Sequence, residues 1–206
     1  MKPVTTLSLL LGKWFSRLAL ALVACFLLTD ATAKPSVAEA ARGQVGKTVR
    51  YVPDYMVLQY PGGDVPKEGG VCTDVVIRAL RESCALDLQK LVHEDMQRSF
   101  SKYPRNWGLG RPDKNIDHRR VPNLQTFFKR SGWELPVTNH AADYAPNDLV
   151  TCIVPPNLPH IMVVSDRKTG DGRPLVIHNI GRGVQEEDRL FDFKITGHYR
   201  FVKKSS

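Results

Sequence analysis

The apolar residues of this chain change their spacing part-way along it, and that change constrains the fold more than anything else in the sequence. In the first half they recur at three and four residues, as on one face of a helix. Val37, Ala40, Ala41 and Val45 follow this spacing, as do Val75, Val76, Ala79 and Leu80 within residues 73–82. Leu88, Leu91, Val92 and Met96 repeat it within residues 86–100. A loop rich in Pro, Gly and Asn occupies residues 103–121, and a further helix is expected over residues 123–131, ended by Gly132. The second half reads as short extended runs separated by turn residues, at 148–154, 160–166, 175–178, 189–193 and 197–202. Helices followed by a meandering antiparallel sheet make an α+β domain.

The N-terminus is expected to lie outside that domain. Lys2, Lys13 and Arg17 precede an apolar run from Leu18 to Leu28, too short to cross a bilayer with ease. Ala31 and Ala33 then supply small residues where a signal peptidase reads. Residues 1–33 therefore read as a secretory signal and residues 34–206 as one domain, periplasmic or secreted. Leu22-Val23-Ala24-Cys25 resembles a lipoprotein processing box, which would tether the chain through Cys25; the apolar run continues past that cysteine, which favours cleavage near Ala33. Membrane association is expected only if Cys25 carries lipid. Loss of the signal lowers the net charge from +8 to about +6. The basic residues are scattered, and an exported chain does not meet nucleic acid, so a soluble, monomeric domain with no nucleic-acid partner is expected.

Cys72, Cys84 and Cys152 remain, an odd number in a compartment where disulfides form. Cys84 and Cys152 pairing would leave Cys72 free; two buried unpaired thiols are the alternative. Cys72 follows Gly69, Gly70 and Val71 and opens a helix. Unpaired N–H groups at a helix start favour thiolate over thiol, and such a thiolate attacks a carbonyl if a base lies beside it. The plain alternative is a buried thiol at a helix start. His160 begins a strand and His178 ends the next one. Pairing the two strands about a turn at Gly170–Gly172 sets His178 opposite Val164, two pairs from His160 on the same side of the sheet.

Four segments in this order, Gly70-Val71-Cys72-Thr73-Asp74, Pro146-Asn147-Asp148-Leu149-Val150, His160-Ile161-Met162-Val163-Val164 and Val176-Ile177-His178, resemble the NlpC-type cell-wall peptidases. A fuller likeness, carried by Tyr60-Pro61-Gly62-Gly63-Asp64, Leu91 to Met96, Asn115 to Asn123 and Ile177 to Gly181, is to a YijF-like bacterial envelope family of unknown function. The first resemblance implies a papain-like fold, with helices packed on an antiparallel sheet. It also implies Cys72 as nucleophile, His160 as base and His178 as the group orienting it. Where those enzymes carry Ser-Gly after the cysteine, this chain has Thr73 and Asp74, and Asp74 facing the sulfur would oppose its ionisation. They also often carry a tyrosine about a dozen residues before the cysteine; Tyr60 has that spacing and is expected either to help hold an oxyanion or to pack in a loop.

Asp117, His118, Arg119 and Arg120 are consecutive. They form a candidate clamp for a substrate carboxylate, or else a salt-bridged loop that staples the domain, and Asp74 is a further substrate-binding candidate. His118 and Asp117 with His93 or His140 match no zinc spacing, so no metal and no cofactor is expected. The expected activity is amide hydrolysis by Cys72 on cell-wall peptide stems or another amide-containing envelope substrate. Acyl transfer on the same fold and a non-catalytic wall-binding module are the rivals.

Overall fold

The computed structural model describes residues 33–202. The expected secretory signal, with Cys25, lies outside those residues, apart from Ala33 at its end. No described helix is long and apolar enough to cross a membrane.

The described residues form an α+β body. Helix α1 spans Val37–Arg42, and its Ser36 cap exchanges hydrogen bonds with Glu39 in a capping box. Val37, Ala38, Ala40 and Ala41 are buried, but the helix ends before Val45, which is exposed. The expected apolar face is thus one turn shorter than its spacing implied. Two-residue strands β1 (Arg50–Tyr51) and β2 (Gly69–Gly70) pair in parallel and lead into α2 (Cys72–Cys84). Helix α3 (Leu88–Ser99) and helix α4 (Val121–Arg130) follow, with Pro122 in the first turn of α4, where its missing N–H costs nothing.

Six strands then make one antiparallel sheet: β3 (Glu134–Leu135), β4 (Leu149–Val154), β5 (Leu158–Lys168), β6 (Pro174–Asn179), β7 (Val184–Glu187) and β8 (Lys194–Tyr199). Their spatial order is β3-β8-β4-β5-β6-β7. Alternation along the strands sorts the side chains into two cores. Leu149, Ile161, Val163 and Ile177 pack with the helices, whereas Val150, Cys152, Met162, Val164 and Val176 pack with Tyr144 and Leu190 on the opposite face.

Residues 189–193 do not form the strand their apolar character suggests. They are a turn whose Leu190 is fully buried, with Phe191 and Phe193 packed partly over the second core. The strand there is β7, whose glutamates are unlike a core strand because it lies at the sheet edge: Glu186 takes Arg42 and Arg167, and Glu187 takes Arg182 and Arg189. The last strand correspondingly starts three residues earlier than expected.

The β5–β6 register also differs from a plain hairpin. Lys168 pairs with Pro174, but after an irregularity Val164 pairs with Val176 and Val163 with Ile177. Continuing that register sets His178 against Met162, not Val164. The bulge slides one strand by two residues, which keeps both histidines on one face and moves them one pair closer.

Candidate functional site

Cys72 is the first residue of α2, whose start is set by its neighbours. Asp74 accepts the Val71 N–H through Oδ2 at 2.7 Å, the half of a capping box that a valine cap permits. Gly70 precedes it with φ 156°, and a Cβ there would lie 3.1 Å from Asp74. Asn179, at the end of β6, donates to the carbonyls of Arg50 and Gly70 at 3.2 and 3.0 Å and ties the sheet to the β1–β2 pair beside the cysteine.

The sulfur is buried and faces backbone amides. Burial pushes its pKa up to about 12; the N–H of Ile161 opposes that rise, the Asp74 carboxylate adds to it, and the N–H groups of Thr73 and Cys72 oppose it. The resting group is therefore a thiol, and the N–H groups of Ile161, Thr73 and Cys72 are what would favour its anion. Among the described residues no disulfide joins Cys72, Cys84 or Cys152; Cys84 is half-buried and Cys152 buried.

His160 and His178 meet directly, Nε2 to Nδ1 at 2.8 Å, with the rings edge to face. Both are buried. Burial, with the neighbouring His178, lowers His160 to about 3; burial lowers His178 to about 4. Among the described residues no hydrogen bond joins the Cys72 sulfur to His160. The sulfur lies near the amide of Ile161, the residue after His160.

The carboxylate-clamp residues are largely engaged within the protein. Arg119 grips Asp74 through two 2.9 Å bonds, with side-chain exposures of 2% and 3%, and also donates to the carbonyls of Val52 and Asp54. Thr73 donates to the Arg119 carbonyl. Asp117 is buried, accepts the Asp113 N–H and pairs with Arg120 at 3.0 Å. Burial raises the Asp117 pKa, and burial lowers His118 to about 4. Arg120 lies over the Trp107 ring at 4.1 Å. This is the staple arrangement: Asp74 and Arg119 position the start of α2 from behind.

Tyr60 sits elsewhere, edge-on to His93 at 5.2 Å with Lys114 over its ring. The tyrosine close to the cysteine in the fold is Tyr51 on β1, paired with Gly70 and 41% exposed; partial desolvation, then the Cys72 and Asp74 charges, raise its pKa. Sequence spacing missed it because it lies 21 positions before Cys72 and is brought near only by the β1–β2 pairing. Among the described residues no His, Cys, Asp or Glu side chains cluster in threes as metal ligands would.

Residues 38–201 match the domain of unknown function DUF1287. The chain is a DUF1287 protein. It is 56% identical over 169 residues to the uncharacterized protein YijF of Escherichia coli (strain K12), covering 82% of each chain. The YijF-like likeness read from the sequence thus holds, and all the candidate site residues described above fall inside the matched span.

Three of the four buried histidines predict acid sensitivity. As pH falls below about 6.5 the unfolded DUF1287 chain takes up protons that folded His118, His160 and His178 refuse. Their contribution to stability is present above about 6.5 and is lost as pH falls toward about 3–4, at up to about 1.4 kcal/mol per histidine per pH unit. Urea unfolding should show the loss between pH 6.5 and 5, where most carboxylates stay ionised. Stability unchanged across that window would contradict the burial of these rings.

Proposed function

We propose that this protein is an exported cysteine amidase with a papain-like, NlpC-type active site. The observation that carries the reading is the buried Cys72 sulfur at the start of a helix packed against strand β5, whose His160 is hydrogen-bonded to His178 of β6.

The base role requires one tautomer. In that tautomer His160 Nε2–H donates to His178 Nδ1 across their 2.8 Å contact, and the His160 Nδ1 lone pair is free. When the sulfur attacks an amide carbon, its proton passes to that nitrogen and an S–C bond forms. The oxyanion is held by the backbone N–H of Cys72, with Tyr51 as a neighbouring donor. Collapse breaks the C–N bond, His160 returns the proton to the leaving amine, and water then cleaves the thioester to an acid and the free thiol. A resting thiol with a pKa of about 12 beside a neutral imidazole means that proton transfer accompanies attack, in place of a preformed ion pair.

Compartment and resemblance support peptide stems of the cell wall as the substrate. Digestion of purified peptidoglycan by the chain from residue 34 onward should release fragments carrying new amine and carboxyl ends, read by mass. Intact peptidoglycan after prolonged incubation with folded protein would remove the stem-peptide assignment, and transfer of the acyl group to an added amine in preference to water would make the enzyme an acyltransferase.

A further inference from the structure

The proposed site draws on three separate segments: Cys72 at the start of α2, Tyr51 on β1, and the histidine pair on β5 and β6. The β1–β2 pair that carries the first two is only two residues long. Three backbone bonds hold it together, from the N–H groups of Val49 and Arg50 to the Glu68 carbonyl at 2.9 and 3.1 Å and from Val52 to Gly70 at 3.1 Å. A two-stranded pairing of that length does not hold its own position, so its place relative to the histidines depends on contacts from the sheet.

Those contacts come from the turn between β6 and β7. Val184 donates its N–H to the Thr48 carbonyl at 2.8 Å. Gly183, with φ 90°, comes so close that a Cβ there would lie 2.7 Å from the same carbonyl. Asn179, the residue after His178, adds a fully buried side chain. Its Nδ2 donates to the carbonyls of Arg50 at 3.2 Å and Gly70 at 3.0 Å, and its Oδ1 accepts the Gly181 N–H at 3.2 Å. Of these contacts only the Asn179 side chain reaches β2.

The chemistry of that position is specific. Two carbonyls can only accept, so the group between them must bring two N–H donors, and the Gly181 N–H requires an oxygen on the other side. A primary amide supplies both. A carboxylate would set oxygen against the carbonyls, and an alanine would leave them without this donor. The two carbonyls are also placed to matter: Arg50 immediately precedes Tyr51, and Gly70 stands two residues before Cys72. Among the described residues Asn179 makes no side-chain hydrogen bond to Cys72, His160 or His178, so it acts on them only through the backbone it holds.

We infer that Asn179 is a positioning residue, which keeps Tyr51 and the start of α2 in register with the His160–His178 pair. The inference rests on the proposed amidase reading, because the register it sets is that between nucleophile and base. A displacement of about 1 Å between reacting groups costs on the order of 10²-fold in rate, so loss of the tie should be measurable in the chemistry of the sulfur.

Iodoacetamide tests this without a peptide substrate. The Cys72 sulfur displaces iodide, an S–C bond forms, and the thiol proton passes to His160. Alkylation of each cysteine is followed by mass in the parent, Asn179→Ala, His160→Ala and the double variant, at a temperature where all remain folded. Asn179→Ala should slow Cys72 about tenfold or more and leave the half-buried Cys84, at the far end of α2, unchanged. The direction separates positioning from mere support, since a loosened structure would expose the buried sulfur and speed its alkylation. His160→Ala, which should cost about 10²-fold in the parent, should cost less than about tenfold in the Asn179→Ala background, because the base is already out of place.

An unchanged or faster Cys72 rate in Asn179→Ala, or additive losses in the double variant, would overturn the positioning role. In the parent protein the Asn179 side-chain amide protons should exchange slowly with solvent; fast exchange would overturn it with no variant involved. A rate that falls with His160→Ala but not with Asn179→Ala removes the positioning role and leaves the amidase. A parent rate indifferent to His160 removes the base, and the role of Asn179 with it.

Discussion

Arg119→Leu is expected to lower the unfolding free energy by about 3–5 kcal/mol, because it strands the Asp74 carboxylate in a buried site. The pair is 2–3% exposed, so water cannot replace the lost guanidinium. The same change leaves the carbonyls of Val52 and Asp54 without their donor. An exposed pair of this geometry would cost at most about 1 kcal/mol, and a loss that small in urea unfolding would contradict the buried staple. Asp74→Leu combined with Arg119→Leu should recover part of the deficit, since no charge is then left unpaired. The damage should also reach the cysteine. Asp74 holds the Val71 N–H, and that bond sets where α2 begins. Arg119→Leu should therefore slow Cys72 chemistry even at temperatures where the variant remains folded.

Cys72→Ala is expected to remove amide hydrolysis altogether, a fall of at least about 10⁴-fold, since the covalent step has no other sulfur in place. Cys84 lies at the far end of α2 and is half-buried beside Ser83; Cys152 packs in the second core. Neither opens a helix. Cys72→Ser should be nearly as inactive, because the proposed base, His160, is held down at about 3 and a hydroxyl is harder to deprotonate than the thiol. The alanine change removes a small buried side chain and leaves the Asp74 cap in place, so the variant should unfold within about 1–2 kcal/mol of the parent. A fall in activity matched by a similar collapse of stability would mean that Cys72 is only a core residue.

Much of this architecture was legible in the sequence because periodicity reports burial directly. The helix opening at Cys72, the strand through His160 and the strand ending near His178 all follow from local spacing. What was not legible depends on contacts between distant segments. The β5–β6 irregularity that moves His178 from Val164 toward Met162 has no local marker, since it arises where Lys168–Pro174 pairing gives way to Val164–Val176. Leu190, Phe191 and Phe193 look like a strand and are instead a cover for the second core; their apolar content gave burial correctly and geometry wrongly. Asp74 was visible as a charge beside the nucleophile and Arg119 as one of a charged loop, but only the fold reveals that they face each other. Tyr60 had the right spacing and the wrong neighbourhood, whereas Tyr51 reaches the cysteine through a two-residue parallel pairing that no sequence pattern announces.

The central claim is that Cys72 is a nucleophile served by the His160–His178 pair, and a peptide-based thiol trap read by intact mass tests it most directly. A stem-peptide analogue with an electrophilic group at the scissile position should add once per chain, at Cys72. His160→Ala, assayed at a temperature where it remains folded, should slow that addition by about 10²-fold or more. Addition at Cys84 with Cys72 unmodified, or equal rates with and without His160, would contradict it.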